Sequence, residues 1–396
     1  RKPTDDELIA TGFLALGPKP LNQGNKALFK LDVIDEQIDA TTRAFLGLTD
    51  SCARCHDHKF DPIPTKDYYA MAGIFRSTDA HYGTINGQGN RQPSRLLTIV
   101  GSDKNRAQKI RNHEFKLEHE NAKLLLMQEE NRELRALKKK ANANQKARMR
   151  RLNRDIKAAR ANIKNLEEQA PAANFAMGVK DGRVADARVL VRGEIRNQGP
   201  IVKRGFLQVL DHVKAYPIGS RASGRMQLAS WLTQPDNPLT ARVMVNRVWR
   251  WHFGTGIVSS VDNFGTLGEQ PTHPELLDYL ATEFMRNGWS WKHLHRQITL
   301  SSTYAQSAAD NETAVNVDPD NRLLWHKPRR RLDAEEIRDA LLYTSQKLDP
   351  AVGGSTFTSG FTYNDPKRDL AVVAALNVDT YAPYLEPRRS VYMPVI

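Results

Sequence analysis

Cys52, Cys55 and His56 fall in the run CARCHDHKFDP, and they include both cysteines of a 396-residue chain. Cys-x-x-Cys followed at once by His is the attachment pattern of a c-type haem. Each thiol would form a thioether to a haem vinyl group, and His56 would supply the proximal nitrogen to iron. The same residue types suit other chemistry. Cys52, Cys55, His56 and His58 could offer four ligands to zinc, or the cysteine pair could cycle as a dithiol. Four ligands packed so closely in sequence strain a tetrahedral site, and structural zinc sites usually use two separated pairs. In a third reading the two cysteines are small hydrophobes packed at a helix end. For the opposite face of a haem, Met71 and His81 are the protein ligands within reach of a chain that folds back. The third option there is an open, solvent-bound position.

The elements that must position these groups are short helices. A helix over about 35–46, with Ile38, Phe45 and Leu46 on one face, delivers the chain to Gly47 and then to the motif. Pro62 and Pro64 force extended backbone. Thr65 then caps a helix over Lys66 to Phe75, which carries Met71. Residues 83–94 read as a polar loop.

The formal charge of +13 invites a nucleic-acid reading, but its distribution argues against one. Residues 104–168 hold 19 Lys/Arg against 9 Asp/Glu, so +10 of the charge sits in one segment. In that segment Ile110, Leu117 and Leu124 recur every seven residues. Leu134 and Leu137 follow, and after a break at 142–145 come Leu152, Ile156, Ile163 and Leu166. The pattern predicts an antiparallel coiled-coil hairpin with a solvated basic surface. Attachment to an acidic partner, polysaccharide or membrane headgroups is the functional reading of that surface. No run of apolar residues is long enough for a membrane span. The chain starts at Arg1 and ends on an apolar run, so it reads as a fragment or a processed product. Covalent haem would place it in the periplasm or outside the cell.

Strand patterning follows over about 185–210. From Ser220 onward the pattern is helical. Asn237 with Pro238 predicts a helix start and Gly254 its end. Thr272 with Glu275 predicts a capping box before Leu276, Leu277, Leu280 and Phe284. Asp333 with Glu336 starts another helix, with Ile337, Leu341 and Leu348 as its apolar face. All six tryptophans lie in this C-terminal half. They suit core packing first and sugar stacking second. Asn246, Arg247, His252, Asp262, Asn263, Glu269 and His273 are of types that could line a polar cleft for metal or acid–base work. Arg329, Arg330 and Arg331 could meet sulfate or carboxylate, or neutralise Glu335, Glu336 and Asp339.

The expected architecture is therefore a mainly α multidomain chain. It comprises a helical CxxCH domain fragment over 1–103, a coiled-coil hairpin over 104–170, a small β unit over 171–219 and a helical C-terminal domain over 220–396. The phrases ATGFLALGP, DEQIDATTRAFLGLT and CARCHDHKFDPIPTKDYYAMAGIF resemble the C-terminal part of the planctomycete cytochrome c-like domain. Asp50 departs from that resemblance, which more often has an apolar residue there. NPLTARVMVNRVWRWHFGTGIV, DNFGTLGEQPTHPELLDYLATEFMRNGWSWKHLHRQI and NRLLWHKPRRRLDAEEIRDALL resemble the planctomycete domain of unknown function that follows it. The resemblance implies a secreted or periplasmic protein with covalent haem c on Cys52, Cys55 and His56. Its partners would be a redox protein and an acidic or sulfated polysaccharide, in electron transfer or oxidoreduction linked to polysaccharide breakdown. The alternative function is a non-redox carbohydrate-binding or scaffold protein.

Overall fold

The computed structural model describes residues 3–84, 90–101, 103–137, 142–171, 174–353 and 386–393. The middle of the expected polar loop and the turn of the expected hairpin lie outside them. In chain order the helices begin with α1 (Asp5–Ala10), α2 (Lys26–Leu46) and α3 (Thr65–Arg76). The strands β1 (Thr78–His81) and β2 (Leu97–Ile99) precede the long helices α4 (Lys104–Ala136) and α5 (Ala143–Glu168). Four short strands follow: β3 (Asn174–Ala176), β4 (Gly178–Asp181), β5 (Ala187–Leu190) and β6 (Gln198–Val202). Then come α6 (Arg225–Leu232), α7 (Thr240–Phe253), α8 (Pro274–Arg286), α9 (Trp291–Thr299), α10 (Glu312–Val317) and α11 (Ala334–Thr344). The protein is mainly helical, with few and short strands.

Two compact units emerge. One joins Arg1–Ala15 to Leu96–Val179, the other joins Leu16–Arg95 to Lys180–Ile396. The residues expected as a single β linker are shared between them, 171–179 with the first and 180–219 with the second.

In the first unit, α4 and α5 pack along their length as a hairpin. Ala107 and Ile110 on α4 and Leu152, Ile156, Ala159 and Ile163 on α5 are buried along the seam. The stretch at 142–145 is a helix start rather than a plain break: Asn142 accepts from the Gln145 amide at 2.9 Å, and Gln145 accepts from the Asn142 amide at 2.8 Å. The heptad of Ile110, Leu117 and Leu124 continues to Asn131, which is buried and donates to Asn153 Oδ1 at 3.0 Å. Asn131 Oδ1 itself has no hydrogen-bond partner among the described residues. A single buried amide at such a seam position fixes register at a cost in stability. Asn131→Leu is therefore expected to gain about 1 kcal/mol in urea unfolding. It should also loosen pairing, seen as concentration-dependent association in light scattering; a loss of stability would contradict this role. Beyond the hairpin, β2 and β3 form an antiparallel pair, Leu97 opposite Ala176.

In the second unit, α2 is longer than its apolar pattern predicts, because Asn25 caps it ten residues earlier. Asn25 Oδ1 accepts from the amides of Ala27 and Leu28 at 3.1 and 3.3 Å. Its C-terminal end is set by Gly47 at φ +62°. α7, α8 and α9 close a core of Val245, Val248, Trp249, Phe253, Leu277, Leu280, Phe284, Leu294 and Ile298. Asn237 does not occupy the cap of α7: the helix starts at Thr240 with Leu239 at the cap, and Asn237 Oδ1 accepts from the Leu239 and Thr240 amides at 3.0 and 3.3 Å in the turn that leads into it. The box expected from Thr272 and Glu275 does not form. His273 occupies the cap position, and the Thr272 hydroxyl turns to Ile257 O at 3.3 Å. The Asp333–Glu336 box does form. The face expected to be buried on α11 is exposed instead, Ile337 at 45% and Leu341 at 66%. Of the tryptophans, Trp231 and Trp249 are buried in stacks with Phe206 and Phe253, whereas Trp251 stands 61% exposed.

Candidate functional site

The attachment motif is a tight turn. Asp50–Arg54 forms a 3-10 helix, and the Cys55 amide closes onto Cys52 O at 3.4 Å. This turn puts both thiols, free and exposed, on the surface of the second unit. The exposed His56 ring uses Nδ1 on Asp57 O at 2.7 Å. With the proton on Nδ1, that bond leaves Nε2 as the lone-pair nitrogen, the arrangement a metal-ligating imidazole needs.

The neighbouring residues are tied down from four directions. Arg54 lies 3.6 Å from Asp32 and 3.4 Å from Asp35 of α2. Tyr68 of α3 donates to Asp35 at 2.5 Å, and Tyr69 donates to Arg54 O at 2.9 Å. Tyr69 also reaches Leu190 O at 3.4 Å, at the end of β5. That strand leads to Gly193 at φ +72°, where a Cβ would stand 2.5 Å from Cys55 Sγ. A side chain at 193 is excluded both by its backbone and by the thiol beside it.

His58 faces inward. Its Nδ1 accepts from the Asp61 amide at 2.8 Å and lies 3.6 Å from the Asp61 carboxylate. Asp61 in turn accepts from the Thr266 amide at 2.7 Å, and Thr266 donates to Phe60 O at 3.1 Å. Phe264 donates its amide to Gly47 O at 2.7 Å. Arg247 of α7 donates to Arg43 O at 2.6 Å, to Ala44 O, and to Asp262 at 2.9 Å. The loop that carries Asp262 and Asn263 is thus a brace for the segment before and after the cysteines. Local sequence patterns carry no sign of this, since the partners are some two hundred residues apart.

Asp50, two residues before the first cysteine, is fully buried. Neither of its carboxylate oxygens has a hydrogen-bond partner among the described residues. Burial, and then the negative charges of Asp39, Asp61 and Asp67, push its carboxyl up to about 7.

Of the proposed cleft residues, Arg247 and Asp262 meet at 2.9 Å, and the side-chain bonds of the others run elsewhere. Asn246 is buried and spends its amide on Val258, donating to its O at 2.8 Å and accepting from its N at 2.9 Å. Arg247 braces the end of α2 and Asp262 pairs with Arg247, while Asn263 Oδ1 accepts from the Gly265 amide at 3.0 Å. His273 pairs with the Thr272 hydroxyl at 3.0 Å, and Glu269 is exposed. His252 has a partner that pattern reading missed: its Nε2 lies 2.8 Å from His295 Nδ1 on α9. Burial first, then the charges of His295 and Lys327, lower the His252 pKa. Lys327 donates to His252 O at 3.1 Å and sits over the Tyr304 ring at 3.4 Å. It caps the end of α7 rather than opening a site. Arg329 pairs with Asp310 at 3.0 Å and Arg330 pairs with Glu336.

Met71 is wholly buried on α3, and His81 Nδ1 lies 3.1 Å from Arg95 O with burial lowering its pKa. The four zinc candidates are not gathered: among the described residues no group of three or more His, Cys, Asp or Glu could hold a metal ion. The residues a covalent haem would use are two exposed thiols, on Cys52 and Cys55, and the exposed His56 imidazole.

Residues 1–80 match the family described as PSCyt2, protein of unknown function (DUF1549), and residues 224–396 match PSD1, protein of unknown function (DUF1553). Both are typical of planctomycete-type proteins. No curated protein and no solved structure matches the chain significantly. Among the described residues no helix is long and apolar enough to cross a membrane.

Proposed function

We propose that the chain carries haem c on Cys52 and Cys55, with His56 on the iron, and passes electrons outside the cytoplasm. The observation that carries this reading is the His56 ring, exposed beside two free thiols, with Nδ1 engaged by Asp57 O at 2.7 Å. When bound, the haem supplies a one-electron couple between ferric and ferrous iron. The chain's own part is to hold the two anchors on a rigid turn and to fix the imidazole's tautomer. A redox protein is the proposed electron partner, and an acidic or sulfated polysaccharide the proposed polymer partner in its breakdown. Burial of Met71 in the core favours a solvent-bound sixth position.

Production in a host with a haem-attachment system, followed by a pyridine haemochrome spectrum, tests this directly. One covalent haem per chain is expected, lost in the Cys52→Ser/Cys55→Ala double variant. The ferric spectrum should be high-spin and unchanged in Met71→Leu. Wild-type protein without covalent haem, or full haem in the double variant, would sink the reading.

A further inference from the structure

On the hairpin, a concave groove of about 510 Å³ lies between α4 and α5. Gln128, Arg132 and Arg135 line it from α4, and Asn153, Lys157 and Arg160 from α5. Each set has the spacing i, i+4, i+7, so each makes one row about 10 Å long, the length that 1.5 Å per residue dictates. Asn131 and Ile156 form the buried floor. Four cations therefore surround one hollow.

Arg132, Lys157 and Arg160 are exposed and have no ion-pair or hydrogen-bond partner among the described residues. Arg135 gives one bond, to the neutral Asn153 Oδ1 at 3.0 Å. The same hairpin pairs a cation where it can: Arg148 meets Glu130 through two bonds, at 2.7 and 2.8 Å. Uncompensated cations gathered around a concavity repel one another, and an anion seated among them relieves that repulsion. The floor and walls add the amides of Gln128 and Asn153, which both donate to and accept from hydroxyl groups. No aromatic side chain lines the groove, whereas single-stranded nucleic acid is held largely by stacking on such rings.

We infer that this groove binds a short stretch of an anionic oligosaccharide. Its sulfate or carboxylate groups lie on Arg132, Arg135, Lys157 and Arg160, and its ring hydroxyls lie on the amides. The inference rests on the polysaccharide partner class proposed above and is independent of haem attachment.

Titration calorimetry on the full chain, at low and at physiological salt, tests it with four probes of equal length. These are a sulfated oligosaccharide, a uronate oligosaccharide, a neutral oligosaccharide and a single-stranded oligonucleotide. At least one of the two anionic sugars should bind, and which one identifies the anion; the neutral sugar should not bind. Arg132→Gln with Arg160→Gln should weaken binding by about tenfold or more and flatten its salt dependence. Lys109→Gln with Lys116→Gln, elsewhere on α4, should leave it unchanged. Both variants should keep wild-type helicity by circular dichroism. Binding should persist in Cys52→Ser/Cys55→Ala, which separates its failure from failure of the haem reading. No binding by either anionic sugar, an equal loss in the Lys109/Lys116 variant, or tighter binding of the oligonucleotide would overturn the assignment.

Discussion

Asp50→Asn is expected to make the protein more stable, and more so as the pH rises. The Asp50 carboxyl is fully buried, without a hydrogen-bond partner among the described residues, and its pKa is raised to about 7. In the unfolded chain it returns to the ordinary value near 3.8. The native state therefore binds this proton more tightly than the unfolded state does. The stability this provides is complete below about pH 3.8 and drains away as the pH climbs toward 7. Above that, the folded protein bears a buried anion facing Asp39, Asp61 and Asp67. A shift from 3.8 to about 7 corresponds to about 4 kcal/mol of pH-dependent stability. Asparagine has the same shape and does not ionise. The difference in urea unfolding free energy between Asp50→Asn and wild type should therefore grow by about that amount between pH 4 and pH 8. A difference that stays flat across this range would show that Asp50 has a partner in solution.

Features set by local chemistry were legible in the sequence. The hairpin's heptads, the box at Asp333 and Glu336 and the stop at Gly254 each depend on residues within a turn or two of each other. What escaped was long-range. Nothing near Arg247 announces that its guanidinium closes the end of α2. Nothing near Gly193 announces that Cys55 Sγ lies against it. His252 was singled out with the wrong companions, because His295 sits on another helix and reaches it only after α7 and α9 pack. Residues chosen as a polar cleft by type were polar for a different reason: Asn246 and Arg247 satisfy backbone groups left over where loops and helix ends are buried. Exposure of the α11 face shows the opposite limit, since amphipathic spacing predicts a helix but not what covers it.

Arg247→Ala should cost far more than the loss of its visible ion pair. Arg43 and Ala44 belong to the last turn of α2, where the Arg43 carbonyl accepts from the Gly47 cap amide at 3.3 Å and the Ala44 carbonyl has no backbone donor among the described residues. Arg247 supplies donors to both, and its side chain is only 21% exposed. Asp262, its carboxylate partner at 2.9 Å, is 63% exposed, so water already serves that oxygen well. Removing the guanidinium leaves the part-buried Ala44 carbonyl unserved, at about 1.5 kcal/mol or more for a charged hydrogen bond, while the more exposed Arg43 carbonyl keeps the Gly47 amide at 3.3 Å. Urea unfolding of Arg247→Ala is therefore expected to show a loss of about 2 kcal/mol. Asp262→Ala should lose less than about 0.5 kcal/mol. Arg247→Lys should recover only part of the loss, because a single ammonium cannot reproduce the planar fork that spans both carbonyls. The brace stands beside the turn that holds Cys52 and Cys55, through Gly47, Phe264, Asp61 and Thr266. Loosening it in Arg247→Ala should also raise the reactivity of the two thiols relative to wild type, both made without haem, measured as the rate of labelling by a thiol reagent. Equal stability losses in Arg247→Ala and Asp262→Ala would mean that the ion pair, and not the helix-end carbonyls, carries the contact.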